Sequence, residues 1–143
     1  MDDPCGPEPR PAGVTALSIF FSIGSAIAFT SGVSLLFPGS LLEPMWRINP
    51  RAREAFTTLG PWAVALLAAV SLTCAASAIG LWRGARWSDP LALGLLMVNL
   101  VGDILNVLLG TEPRAAIGIP IGGALLAYLS TRRVRRFFAG ATG

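Results

Sequence analysis

Four long apolar runs separated by short polar stretches organise this chain. Residues 14–37, 62–82, 91–109 and 115–131 are dominated by apolar and small residues and carry no charged side chain but Asp103. A helix of about 20 such residues spans the hydrocarbon core of a bilayer. The pattern predicts an all-α, integral membrane four-helix bundle: two helical hairpins with an interfacial outer loop. The fourth run is near the lower limit of about 17 residues for a crossing, and Pro120 is expected to kink it.

The stretches between the runs set their boundaries. Residues 1–13 hold four prolines, two glycines and four charged side chains without apolar periodicity, which predicts a disordered tail. The first run is too long for a signal-peptide core and its preceding tail is acidic, so a retained first span is expected. Phe37-Pro38-Gly39 stops that span. Within 40–60, Ser40 with Glu43 fits a capping box, and Asn49-Pro50 fits an N-cap and first helical position. Leu41, Leu42, Met45, Trp46 and Ile48 beside Arg47, Arg51 and Arg53 give the mixed character of a segment lying in the membrane interface; a plain loop is the alternative. Gly60-Pro61 opens the second span, residues 84–90 form a tight basic turn, and residues 132–143 form a basic tail. The 14–131 region is thus one four-span domain between two tails.

Composition agrees with lipid as the solvent. Of 143 residues 53% are hydrophobic and 13% charged, and the mean hydropathy is +0.64, too high for a chain that keeps most of its surface in water. All 11 basic residues are arginines, and there is no lysine or histidine. Such usage with abundant Ala, Gly and Pro matches a GC-rich coding sequence and points to a bacterial source. With the N-terminus inside, Arg10, Arg83, Arg86, Arg132, Arg133, Arg135 and Arg136 gather on one side and Arg47, Arg51, Arg53 and Arg114 on the other. That bias places both termini in the cytoplasm and the chain in a bacterial inner (cytoplasmic) membrane. Trp46 and Trp62 fall near one interface, and Trp82, Trp87 and Tyr128 near the other. Cys5 and Cys74 lie in settings too different to pair and read as free thiols.

Candidate chemistry concentrates in the third run. Asn99, Asp103 and Asn106, spaced i, i+4 and i+7, fall within about 60° of arc over roughly 10 Å of helix. A carboxylate at mid-membrane costs at least about 2.5–3.5 kcal/mol, so this stripe is expected to face the bundle interior. It is either interhelical hydrogen-bond glue, at about 0.6–2 kcal/mol per contact, or a proton, cation or polar-ligand site. Gly24, Ala28 and Gly32 in the first run and Gly118 and Gly122 in the fourth have the spacing of close helix packing. Ser18, Ser22, Ser25, Thr73 and Ser77 are placed to meet the stripe. Arg132, Arg133, Arg135 and Arg136 before Phe137 and Phe138 are expected to contact anionic lipid.

The absences limit the function. Without histidine there is no His-based zinc site, triad base or haem ligand, and without lysine no Schiff base or Walker-type loop. No enzyme activity, metal or other cofactor is expected, and no nucleic-acid partner.

The layout, with one span, a structured proline-containing outer loop, a span ending Gly80-Leu81-Trp82-Arg83-Gly84 and a last hairpin closing on arginines, resembles the small bacterial DoxX-like four-helix membrane proteins. The resemblance implies a four-helix membrane fold and carries no activity. Small multidrug transporters also pair four helices with one embedded acid, but theirs is a glutamate in the first span, where this chain has none. Two functions follow as expectations: an accessory or scaffold subunit, forming a homo-oligomer or joining a larger membrane complex, or a small transporter or channel component using Asp103.

Overall fold

The computed structural model describes residues 11–110 and 115–140. Of the expected disordered tail 1–13, residues 1–10 with the free thiol of Cys5 lie outside the described residues, as does the turn at 111–114, whereas Ala12 and Gly13 belong to the first helix. Among the described residues every regular element is helical: α1 (Ala12–Leu36), a 3-10 helix (Glu43–Arg47), α2 (Pro50–Leu59), α3 (Pro61–Arg83), α4 (Ser88–Leu108), α5 (Ala115–Leu129) and α6 (Arg132–Gly140).

Three of these helices, α1, α3 and α4, are long and apolar enough to cross a membrane, and a fourth crossing exists if α5 and α6 count as one span. At 1.5 Å per residue, the 15 residues of α5 reach only about 22 Å, less than the roughly 30 Å of a hydrocarbon core. α5 stays one helix through Pro120, and a 59° bend follows between α5 and α6. Large apolar side chains stand exposed on every long helix, among them Ile23 and Ile27 of α1, Leu72 of α3, Val98 of α4 and Ile117 of α5. A water-soluble monomer rarely shows so much exposed apolar surface; lipid makes it favourable. Apolar helices of this kind mark a membrane-associated protein.

The chain divides into two compact units, residues 20–76 and residues 1–19 with 77–143. In the first, α1 and α3 run antiparallel through small residues. Ser25 Oγ donates to the Ser71 carbonyl at 2.9 Å, and Ser71 Oγ donates to the Ser25 carbonyl at 3.1 Å. A Cβ at Gly24 would lie 3.8 Å from Cys74 Sγ, and one at Gly32 3.6 Å from Leu67 Cβ; Ala28 is buried beside them in sequence.

Residues 40–60 are helical in two pieces, with one difference from expectation. Asn49 does cap α2: its Oδ1 accepts from Ala52 N–H at 3.1 Å, with Pro50 at the first helical position. The Ser40–Glu43 capping box does not form. The 3-10 helix has no side-chain cap, and the Glu43 carboxylate accepts instead from Gly39 N–H at 2.9 Å and from Arg53. Its two oxygens are thus divided between the Gly39 amide, one residue before Ser40, and the charge-assisted bond from the Arg53 guanidinium ten residues on. The hydrogen bond and charge of Arg53, with the Gly39 amide, hold the Glu43 carboxyl below the usual glutamate range.

Trp46 is packed inside this unit. It is 7% exposed, donating from Nε1 to Ser34 Oγ at 2.9 Å and meeting the Phe56 ring edge-on at 6.0 Å. Its indole N–H finds an acceptor on α1, so the ring serves as internal packing rather than as a membrane anchor. Leu41, Ile48 and Trp62 of this unit are exposed 99%, 75% and 76%.

In the second unit the core gathers where α3 turns into α4. Val14, Leu17, Leu81, Ala92, Leu129 and Val134 are all at most 1% exposed. α3 ends in a Schellman motif: Ala85 N–H bonds the Gly80 carbonyl at 2.9 Å and Gly84 N–H the Leu81 carbonyl at 3.2 Å. Gly84 sits between them at φ +69°, a backbone conformation that glycine adopts without strain. The same glycine is a docking floor, since a Cβ there would lie 3.3 Å from the Phe137 ring. The basic segment from Arg132 is therefore an amphipathic helix, α6. Its Val134 and Phe138 are buried, while Arg132, Arg133, Arg135 and Arg136 are exposed.

Candidate functional site

The polar residues of α4 sit on the face that continues its packed edge. Ser88, Ala92 and Leu96 are buried along that edge, but cover runs out toward the C-terminal half. Asn99 and Asn106 are exposed and Asp103 is half-buried. Of the three long apolar helices α4 is the least covered: 11% of its most apolar window is buried, against 28% for α1 and 39% for α3.

Asp103 is positioned by a missing side chain. α4 and α5 pack closely, and a Cβ on Gly118 would overlap the Asp103 carboxylate. Four residues along, Gly122 leaves room for Leu100, whose Cδ1 would be 3.6 Å from such a Cβ. The two glycines thus let α5 approach α4 alongside Leu100 and Asp103.

Three of the hydroxyls expected to meet the stripe bond elsewhere. Ser18 Oγ donates to the Ala78 carbonyl at 2.8 Å, Ser25 pairs with Ser71, and Thr73 donates to Ala69 of its own helix at 2.7 Å. Ser77 is fully buried with no hydrogen-bond partner for its Oγ. Ser18 and Ser25 reach carbonyls of α3 and Thr73 a carbonyl of its own preceding turn, so these three hydroxyls are satisfied away from the stripe.

The arginines of α6 are brought together with two residues that the sequence reading left out of the site. Arg132, Arg135, Arg136 and Phe138 line an open pocket of about 710 Å³ with Arg86 and Asp89; Arg133 does not line it. Positions 132, 135 and 136 share one helical face, with 133 rotated away. Arg86 comes from the α3–α4 turn and Asp89 from the first turn of α4. The signal for both was present: the i, i+4 pair Val134 and Phe138 under arginines predicts an amphipathic helix, and the turn at 84–90 is the nearest basic stretch.

No protein-family model matches the chain, nor does any curated protein or solved structure.

Proposed function

We propose that this chain is a small non-enzymatic multi-pass protein of the bacterial inner membrane, with four crossings in a bundle and both termini in the cytoplasm. It acts as a scaffold or accessory subunit that associates with copies of itself through the polar stripe of α4. The DoxX-like layout is in keeping with that architecture. The arginine count on either side of the spans supports the orientation.

The observation that carries the reading is the exposure of Asn99 on the least covered long helix. An amide facing hydrocarbon lacks hydrogen-bond partners, which is unfavourable by roughly 2–7 kcal/mol; a second transmembrane helix supplies them. Asparagine offers both donors and an acceptor, so two copies related by a twofold axis satisfy one another without a different partner sequence. Asp103, half-buried against Gly118, then lies at the edge of the seam as a hydrogen-bonding group.

Two substitutions at Asp103 test this against transport. Asp103→Asn keeps the hydrogen-bonding capacity in nearly the same volume, and its thermal stability in detergent is expected to match wild type. Asp103→Leu is expected to lower stability and the oligomer population, because it removes that capacity from a dry seam. Proton and cation flux in proteoliposomes is expected to be absent throughout. Wild-type flux, lost equally in two well-folded variants, would overturn the scaffold reading in favour of a small transporter binding a proton or cation at Asp103.

A further inference from the structure

The pocket beneath α6 has the composition of a phosphate site at membrane-interface depth. Four arginines from two elements surround it: Arg86 from the turn, and Arg132, Arg135 and Arg136 from one face of α6. Asp89 is its single carboxylate, with Arg135 in electrostatic range. Guanidinium groups present planar sets of donors that match phosphate oxygens, and several together favour an anion of more than point size.

Three observations point to lipid as the source of that phosphate. First, α6 turns Val134 and Phe138 into the protein and rests Phe137 over Gly84. Its apolar face is occupied internally and only the arginine face is left for a ligand. Second, Trp82 and Trp87, each 53% exposed, flank the same turn, and exposed tryptophans on apolar helices mark headgroup level. Third, Ile79, one turn before Arg83 on α3, is 53% exposed, so apolar surface fit for an acyl chain begins directly beside the basic turn. An anionic phospholipid matches both halves of this surface, whereas a free phosphate matches only one.

We propose that the Arg86, Arg132, Arg135 and Arg136 pocket binds the headgroup phosphate of an anionic phospholipid, fixing α6 against the α3–α4 turn. The inference rests on the membrane reading above and not on the α4 seam, because lipid occupancy is measured equally on a monomer or an oligomer. Asp89 lies in the wall of the pocket with its Oδ1 buried and without a hydrogen-bond partner.

The test is a binding titration on the purified full chain in neutral detergent, using phosphatidylglycerol, phosphatidylcholine and inorganic phosphate at matched ionic strength. Saturable binding of phosphatidylglycerol is expected, with neither phosphatidylcholine nor inorganic phosphate binding over the same range. Arg136→Gln and Arg132→Gln are each expected to weaken it about fivefold, the equivalent of about 1 kcal/mol per arginine. Arg133→Gln removes the same charge from the same helix outside the pocket and is expected to change affinity less than about twofold. Equal weakening by Arg133→Gln and Arg136→Gln would reduce the site to diffuse charge attraction. Equal binding of inorganic phosphate would assign the pocket to a soluble anion, and no saturable phosphatidylglycerol binding would overturn the proposal outright.

Discussion

Gly118 shows how one absent side chain sets the spacing of two helices and the placement of the single acid between them. Alanine there puts a methyl group where the Asp103 carboxylate lies, so the acid must leave its rotamer or α5 must retreat. Gly118→Ala is expected to destabilise the protein by about 1–3 kcal/mol. The effect should largely disappear in an Asp103→Ala background, because the clash is with that carboxylate. Gly94→Ala, on the same hairpin with nothing within 4 Å of its Cβ position, is expected to change stability by less than about 0.5 kcal/mol. Reversible unfolding in detergent of the four variants closes the cycle; an equal loss for Gly118→Ala with and without Asp103 would contradict it. The spacing Gly118-x-x-x-Gly122 was readable in the sequence because small residues at i and i+4 define a helix face. Which residue fills the space was not, since that depends on the register of α4 against α5. Trp46 makes the same point: its amphipathic ring suits an interface by type, and only the proximity of Ser34 and Phe56 draws it inward.

Local devices on single elements were the most legible, and competition from distant residues accounts for the exceptions. Asn49-Pro50 starts α2 because both determinants lie within one turn. Ser40 and Glu43 have equally good spacing, yet Arg53 of α2 captures the carboxylate. This contact ties the 3-10 helix to α2, and the stability of this segment is expected to depend on pH. The folded Glu43 carboxyl titrates below its ordinary value, so its stabilisation is complete above about pH 4.3 and is lost as pH falls through the lowered folded value. Hydrogen exchange at the Gly39 amide reads this directly: protection should fall on acidification below pH about 4, and Glu43→Gln should remove the pH dependence. Because both side chains are partly solvated, high salt should weaken the effect. Unchanged Gly39 protection through acidification would show that the carboxylate does not hold the turn. At the other end of the chain, α6 was hidden because a run of arginines reads as a solvated tail. Val134 and Phe138, buried one turn apart, are what make it a docked helix.

For the whole molecule, the apolar runs state the solvent and the approximate number of crossings, because hydropathy is a sum over residues and needs no knowledge of packing. α1, α3 and α4 follow the runs closely, α5 takes up the fourth run as far as Leu129, and α6 is built from the basic segment that follows it. The proposed function lies beyond that sum, in the surface one chain would leave for another. Asn99 was expected to face a bundle interior and stands exposed; on the proposed reading its partner is a second copy of the chain. The most direct measurement is the oligomer population of dye-labelled protein in liposomes of increasing lipid-to-protein ratio, for wild type, Asn99→Leu and Val98→Ala. Wild type should self-associate, and Asn99→Leu should weaken association by about 3- to 30-fold, the equivalent of about 0.6–2 kcal/mol. Val98→Ala, at an exposed position about 100° round the helix, should leave association unchanged. A wild-type chain that stays monomeric at every ratio, or an Asn99→Leu chain that associates as wild type does, would contradict the account.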